Sequence, residues 1–167
     1  MPTKRIIGKI DIKGNKVIKG IRFEGLRIIE ELDEFLFLRK DDLIVDEIYI
    51  NNITGSLYDT HIDLNLLQKI CKNIHIPVTV QGGINSLDQI QKIIHSGVEK
   101  VFINSAAIEN LKFISDAVSE FGSSTICVCI DYKKNFFGKR LVYKLNATQK
   151  TLLDPHNWAK KLEDTGV

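Results

Sequence analysis

Two stretches of this chain carry the same short phrase, 120 positions apart: Ile10-Asp11-Ile12-Lys13 recurs as Ile130-Asp131-Tyr132-Lys133. In each, an apolar run ends in an aspartate and a short polar, Lys-rich, Asn-containing segment follows. An internal repeat constrains architecture before any local assignment does. Between the two phrases, strand-like and helix-like segments alternate four times, at about 30 residues per unit, the size of one strand–helix unit. A chain that completes four such units and then begins again predicts an α/β fold of the (β/α)8 TIM barrel type, built from two half-barrels. The two aspartates then face each other across one mouth of the barrel.

Length limits that reading. A barrel of this kind takes about 250 residues, roughly 200 at the short end, and the chain has 167. It therefore accommodates the first five units, an incomplete barrel in a single domain over residues 1–167. The final Asp164-Thr165-Gly166-Val167 falls where a helix stops and the next strand should begin. A net charge of +2 gives no reason to expect nucleic acid or an acidic membrane as partner. There is no apolar run of membrane-spanning length and no signal peptide. Cys71, Cys127 and Cys129 have no disulfide-scaffold spacing; the last two share one side of a strand-like run and read as core packing, suiting a reducing cytoplasm. His61, His75, His95 and His156 lack metal-ligand spacing, so no metal or organic cofactor is expected.

Strands are expected near residues 5–11, 47–53, 77–81, 100–104 and 125–131, as short apolar runs suited to a parallel sheet buried on both faces. Helices are expected near 28–39, 62–73, 86–96, 109–120 and 154–163. Ser86 followed by Gln89 forms a capping box, and Asp154 before Pro155 marks a helix start. A hairpin-like insertion is expected over 132–145.

Chemistry in such a barrel sits at the C-terminal ends of the strands. Those ends carry Asp11, Gln81-Gly82-Gly83, Asn104-Ser105 and Asp131. Two carboxylates on opposite walls can handle two proton transfers on one substrate; the alternative is that each aspartate caps its own strand. Gly82 and Gly83 leave backbone N–H groups approachable, the Ser86 helix start favours an anion, and Asn104 and Ser105 add donors, a combination suited to phosphate. Lys13, Lys16 and Lys19 read as a loop able to close over an anionic substrate, or as a solvated basic loop. At the strand starts, Arg5, Glu47 and Lys100 are placed to form a charged ring across the barrel floor, either a gate or a plain salt-bridge cluster.

These residues carry a resemblance. The segments RIIGKIDIKGNKVIKG (5–20), FEGLR (23–27), DEIYINNIT (46–54), PVTVQGGI (77–84), EKVFINSAA (99–107) and FGSSTICVCIDYK (121–133) resemble the cyclase subunit of imidazole glycerol phosphate synthase. The resemblance runs over essentially the whole chain and about two thirds of a family member. It implies a lyase of histidine biosynthesis working with a glutamine amidotransferase subunit. Ammonia released by the glutaminase would cross the barrel and attack a bisphosphorylated ribulosyl aminoimidazole-carboxamide nucleotide. The products would be imidazole glycerol phosphate and aminoimidazole carboxamide ribotide. On this resemblance Asp11 and Asp131 match the acid/base pair, and Lys19 the lysine of the mobile loop. Gly83, Asn104 and Ser105 match one of two phosphate sites, with Ser in place of the usual Thr, and Arg5, Glu47 and Lys100 three of four ammonia-gate charges.

The chain departs from the family pattern at three further positions. Gln81 replaces the first of three glycines, Asn52 stands where aspartate is usual, and Lys9 stands where a small residue is usual. By alternation Lys9 points inward, where it would narrow the ammonia path or pair with Glu47. KGIRFEGLR (19–27) and GSLYDTH (55–61) are similar to cyclase-like paralogues that conduct ammonia in acetamidino-sugar synthesis. The alternatives are therefore such a paralogue and, because units six to eight and the second phosphate site are absent, an inactive fragment.

Overall fold

The computed structural model describes residues 4–21 and 25–167. Arg22, Phe23 and Glu24 of the 19–27 motif lie outside the described residues.

Five parallel strands make the framework: β1 (Ile7–Lys13), β4 (Glu47–Asn52), β5 (Val78–Gln81), β6 (Lys100–Ile103) and β7 (Ile126–Val128). They lie side by side in that order, each pairing in parallel with the next. Antiparallel β2 (Lys16–Ile21) and β3 (Gly25–Glu31) extend the sheet beyond β1. The strand order runs from β3 to β7 without closing, so the fold is a partial barrel of the (β/α)8 family rather than a ring.

Alternation divides every parallel strand into two faces. On the outer face Ile10, Ile12, Ile48, Ile50, Val78, Val80, Val101, Ile103 and Ile126 are buried. They pack in one core with residues of α3 (Leu64–Asn73), α4 (Leu87–His95) and α6 (Leu111–Phe121). The inner face carries Lys9, Asp11, Glu47, Tyr49, Asn51, Thr79, Gln81, Lys100 and Phe102 instead. The expected burial on both faces is met at Glu47, Asn51 and Thr79 on the inner side, but that face is polar where the outer one is apolar.

The helix signals hold where side chains set them locally. Asp63 accepts from Asn65 N and Leu66 N to start α3, and Asp154 accepts from His156 N and Asn157 N to start α7 (Pro155–Glu163). Ser86 Oγ accepts from Gln89 N at 3.4 Å, while Gln89 Oε1 accepts from Asn85 N at 2.9 Å. The box is closed one residue early.

Three expectations require correction. Residues 28–31 are strand, and the helix there is only α1 (Leu32–Phe37). Branched Ile28 and Ile29 favour extended backbone, and pairing with β2 satisfies their strand, Ile28 lying opposite Ile18. The supposed basic loop is accordingly the β1–β2–β3 meander, with Lys16 and Lys19 inside β2. The fifth parallel strand ends at Val128, so Asp131 does not finish it. Asp131 opens β8 (Asp131–Lys134), which pairs with β9 (Arg140–Lys144) and then β10 (Gln149–Lys150) in a separate small sheet. Two short helices also follow strand ends unforeseen: α2 (Gly55–Tyr58) and α5 (Ser105–Glu109).

Candidate active site

Asp11 and Asp131 are held by the same device. Asn51, one strand over from Asp11, donates its Nδ2 to Asp11 Oδ1 at 2.7 Å. Asn104, just beyond β6, donates its Nδ2 to Asp131 Oδ2 at 2.7 Å. Both asparagines are buried, at 6% and 8% exposure, so each carboxylate is oriented by an amide that cannot swing into water. Lys9 adds a second partner to Asp11, its Nζ lying 3.1 Å from Oδ1. It also sits 6.0 Å above the Tyr49 ring. Lys9, expected to narrow the ammonia path or to pair with Glu47, pairs instead with Asp11, two residues along its own strand.

Asn51 was not singled out in the sequence. It lies opposite Asp11 in the β1–β4 register, and alternation from Glu47 through Tyr49 would have pointed to it. Asn52, which was singled out, turns away. It donates to Thr60 O at 3.1 Å, and its Oδ1 accepts from Thr54 Oγ1 at 2.9 Å, locking the turn after β4.

Gln81 is the centre of a second inner cluster. Its Oε1 accepts from the Tyr49 hydroxyl and, at 3.0 Å, from the Cys129 thiol. Tyr49 also packs against Phe102, ring centroids 5.1 Å apart. Burial pushes the Tyr49 hydroxyl well above its usual range and the Cys129 thiol up to about 11. Cys127 is raised by burial as well. The two cysteines do share a direction, but it is the inner face, half-buried, and not the apolar core.

The glycine pair has a different local reason from the one expected. Gly82 has φ +120° and Gly83 φ +71°, conformations that favour glycine. A side chain at Gly82 would collide with the Asn52 carbonyl, and one at Gly83 would come 2.8 Å from Thr60 O. The pair lets the turn after β5 press against the turn after β4. Gly83 nonetheless borders a cleft of about 80 Å³ with Ser56, Asn85, Ser105 and Ala106. Beside it, a narrow cleft of only about 10 Å³ is lined by Asn51, Gln81, Gly82, Asn104, Ser105 and Asp131. Asn104 Oδ1 is buried with no hydrogen-bond partner among the described residues. Ser105 Oγ accepts from Leu145 N at 2.9 Å, tying the cleft to the end of β9.

Ser86 lies elsewhere. It lines a groove with His61, Ile62, Gln89 and Lys92 between α3 and α4, on the helix side of the sheet. Lys19 is exposed on β2 opposite Arg27 and is not brought to the clefts.

At the other end of the strands the three expected charges meet. Glu47 is buried at 2% exposure. Its Oε2 lies 3.5 Å from Arg5 Nη1 and 3.6 Å from Lys100 Nζ, and its Oε1 accepts from Thr79 Oγ1 at 2.5 Å. All four histidines are exposed. No group of three potential metal ligands occurs among the described residues, nor does a helix long and apolar enough to cross a membrane.

The arrangement offers two oriented carboxylates, a donor-lined cleft beside them and a charged cluster at the far end of the same face. Comparison with known proteins agrees in kind. Residues 5–167 match the histidine biosynthesis protein family. The chain is 40% identical over 168 residues to the "Imidazole glycerol phosphate synthase subunit HisF" of Petrotoga mobilis, covering all of this chain and 66% of that protein. It is 41% identical to the subunit of that name from Lactococcus lactis subsp. cremoris MG1363, covering 64% of it, and 37% identical to that of Thermococcus onnurineus, covering 66%. The chain thus spans just under two thirds of the length of these relatives, and by its sequence and its partial barrel it belongs to the histidine biosynthesis protein family.

Proposed function

We propose that this chain carries the cyclase half-site of an imidazole glycerol phosphate synthase. The observation that supports the reading most is the matched pair Asp11–Asn51 and Asp131–Asn104, each bond 2.7 Å long. Ammonia adding to a substrate carbonyl must shed protons from nitrogen, and the carbonyl oxygen must gain protons to leave as water. Two fixed carboxylates can serve as acceptor and donor for these transfers. The bisphosphorylated ribulosyl aminoimidazole-carboxamide nucleotide would rest one phosphate in the cleft of Gly82, Gly83, Asn104 and Ser105. The unpaired Asn104 Oδ1 would accept a hydrogen bond from a substrate hydroxyl or amine. Ammonia from a glutamine amidotransferase subunit would enter past Arg5, Glu47 and Lys100, which supply three charges of a gate. Lys19 would contribute only after the β2–β3 meander moves towards the cleft. The reaction needs no cofactor in this scheme, and the three free cysteines suit the cytoplasm.

This reading assigns one phosphate to the described residues where the substrate has two, so the 167-residue chain alone is expected not to turn over. The test supplies the remaining third of the barrel, taken from the Petrotoga relative, as a separate chain. Ammonium-dependent loss of the nucleotide's near-ultraviolet absorbance should appear in the reconstituted protein and vanish with Asp11→Asn. A folded, reconstituted barrel that never consumes the nucleotide would refute the reading.

A further inference from the structure

The hairpin of β8 and β9 ends in a built tip. Asn135 N donates to Lys139 O at 2.9 Å, Lys139 N donates to Asn135 Oδ1 at 2.8 Å, and Gly138 N donates to Asn135 O at 3.0 Å. This turn holds Phe136 and Phe137 in water, at 99% and 90% exposure. Their rings meet edge to face, centroids 5.8 Å apart. Two adjacent aromatics so fully exposed and so firmly presented have no use within the described fold. Their surroundings are cationic: residues 132–153 contain six Lys and Arg and no carboxylate. Lys134, Lys139 and Arg140 pair with no carboxylate among the described residues.

The complementary surface lies on the same chain. Residues 30–47 contain eight Asp and Glu against two cations. Between α1 and β4 this segment exposes Leu38 at 76% and Ile44 at 88%. Glu34, Asp41 and Asp42 beside them have no cationic partner among the described residues. Topology keeps the two surfaces apart within one molecule. The loop enters the N-terminal end of β4, while the hairpin follows the C-terminal end of β7, and the strands between are parallel. The apolar tip and the acidic apolar loop can therefore meet only between molecules.

We infer that the Phe136–Phe137 hairpin tip of one copy docks on the Leu38–Ile44 loop of a second copy, head to tail. The aromatics cover Leu38 and Ile44, and Lys134, Lys139 and Arg140 face Glu34, Asp41 and Asp42. Such a contact is heterologous: each pair leaves one tip and one loop free, so association continues into rings or filaments. An anionic lipid surface would engage the hairpin but leaves the acidic loop without a role.

The test is sedimentation velocity on the purified chain over a range of concentrations, in about 0.05 M and about 0.5 M salt, where screening differs severalfold. Size should grow with concentration in low salt and fall in high salt. Phe136→Ser/Phe137→Ser and Asp41→Lys/Asp42→Lys, all exposed positions, should each be monomeric alone. Mixed, they should form one-to-one pairs and nothing larger, because each retains one competent surface. Association through the open sheet edges would ignore the phenylalanines. Unchanged association of the Phe variant, a mixture that stays monomeric, or a wild type that is monomeric throughout overturns the inference. So does a monomeric wild type that pellets with phosphatidylglycerol vesicles in a Phe-dependent way, which would assign the hairpin to lipid.

Discussion

Asn51 donates its side-chain amide to Asp11 at 2.7 Å, across two neighbouring strands. Asn104 repeats the bond on Asp131 at the same distance. The repeat legible in the aspartates thus extends to the residues that aim them. Among the described residues, replacing Asn51 by Leu leaves Asp11 with Lys9 as its only side-chain partner and frees the carboxylate to rotate. Turnover of the reconstituted barrel should fall by about 10²-fold, the usual cost of a displaced catalytic group. Steady-state kinetics should show the loss in kcat more than in KM, with Asn51→Asp unable to restore it.

Lys9 pairs with Asp11 at 3.1 Å, but both side chains are about half exposed. Solvent screening holds the stability of such a pair to about 1 kcal/mol or less. Lys9→Met should therefore leave the urea midpoint nearly unchanged while altering turnover. A large loss of stability would show that the ion pair is structural instead.

Gly82 combines φ +120° with a direct approach to the Asn52 backbone. Gly82→Ala should destabilise the fold by about 1–3 kcal/mol or more, since backbone strain and collision add. Chemical denaturation reads this as a lower midpoint. Gly20→Ala provides the control, because a Cβ there meets open space.

The Glu47 cluster predicts an order of effects. Lys100 keeps 17% of its side chain exposed and Arg5 keeps 55%. Arg5→Ala should cost about 1 kcal/mol or less, and Lys100→Ala more. Glu47→Ala should cost most, because it removes the buried centre of the cluster and leaves the half-buried Lys100 ammonium with only the exposed Glu99 carboxylate, 3.4 Å away. Equal losses for all three in thermal unfolding would contradict this.

Cys129 carries a pH signature. Its thiol is pushed up to about 11 in the folded protein, chiefly by burial, against roughly 8.5 for a free cysteine. Between these values the unfolded chain releases the proton and the folded chain keeps it. The stabilising contribution is thus complete below the unfolded value and lost as pH rises towards about 11. Stability should fall across that window, and less so in Cys129→Ala. Thiol-specific labelling of Cys129 in the native state should accelerate only in the same window.

The sequence by itself determined the alternating architecture, the caps at Ser86 and Asp154, and the two aspartates. Each rests on information carried within a few residues: periodicity, a polar side chain one turn from free N–H groups, or a repeated phrase. The charged cluster was legible too, since Glu47 and Lys100 open parallel strands and Arg5 lies two residues before β1. Tertiary structure decided what depended on neighbours far along the chain. Residues 28–31 became strand because β2 offered a pairing edge that outweighed helix propensity. Lys9 went to Asp11, and Asn51 rather than Asn52 took the carboxylate, because strand register sets which side chains share a level on the inner face. Gly82 and Gly83 proved to serve the approach of two turns, a requirement visible only once the Asn52 and Thr60 carbonyls stand beside them. Residue type and spacing specify what a side chain can do locally; which partner it meets is set by register and packing between strands that the chain brings together from a distance.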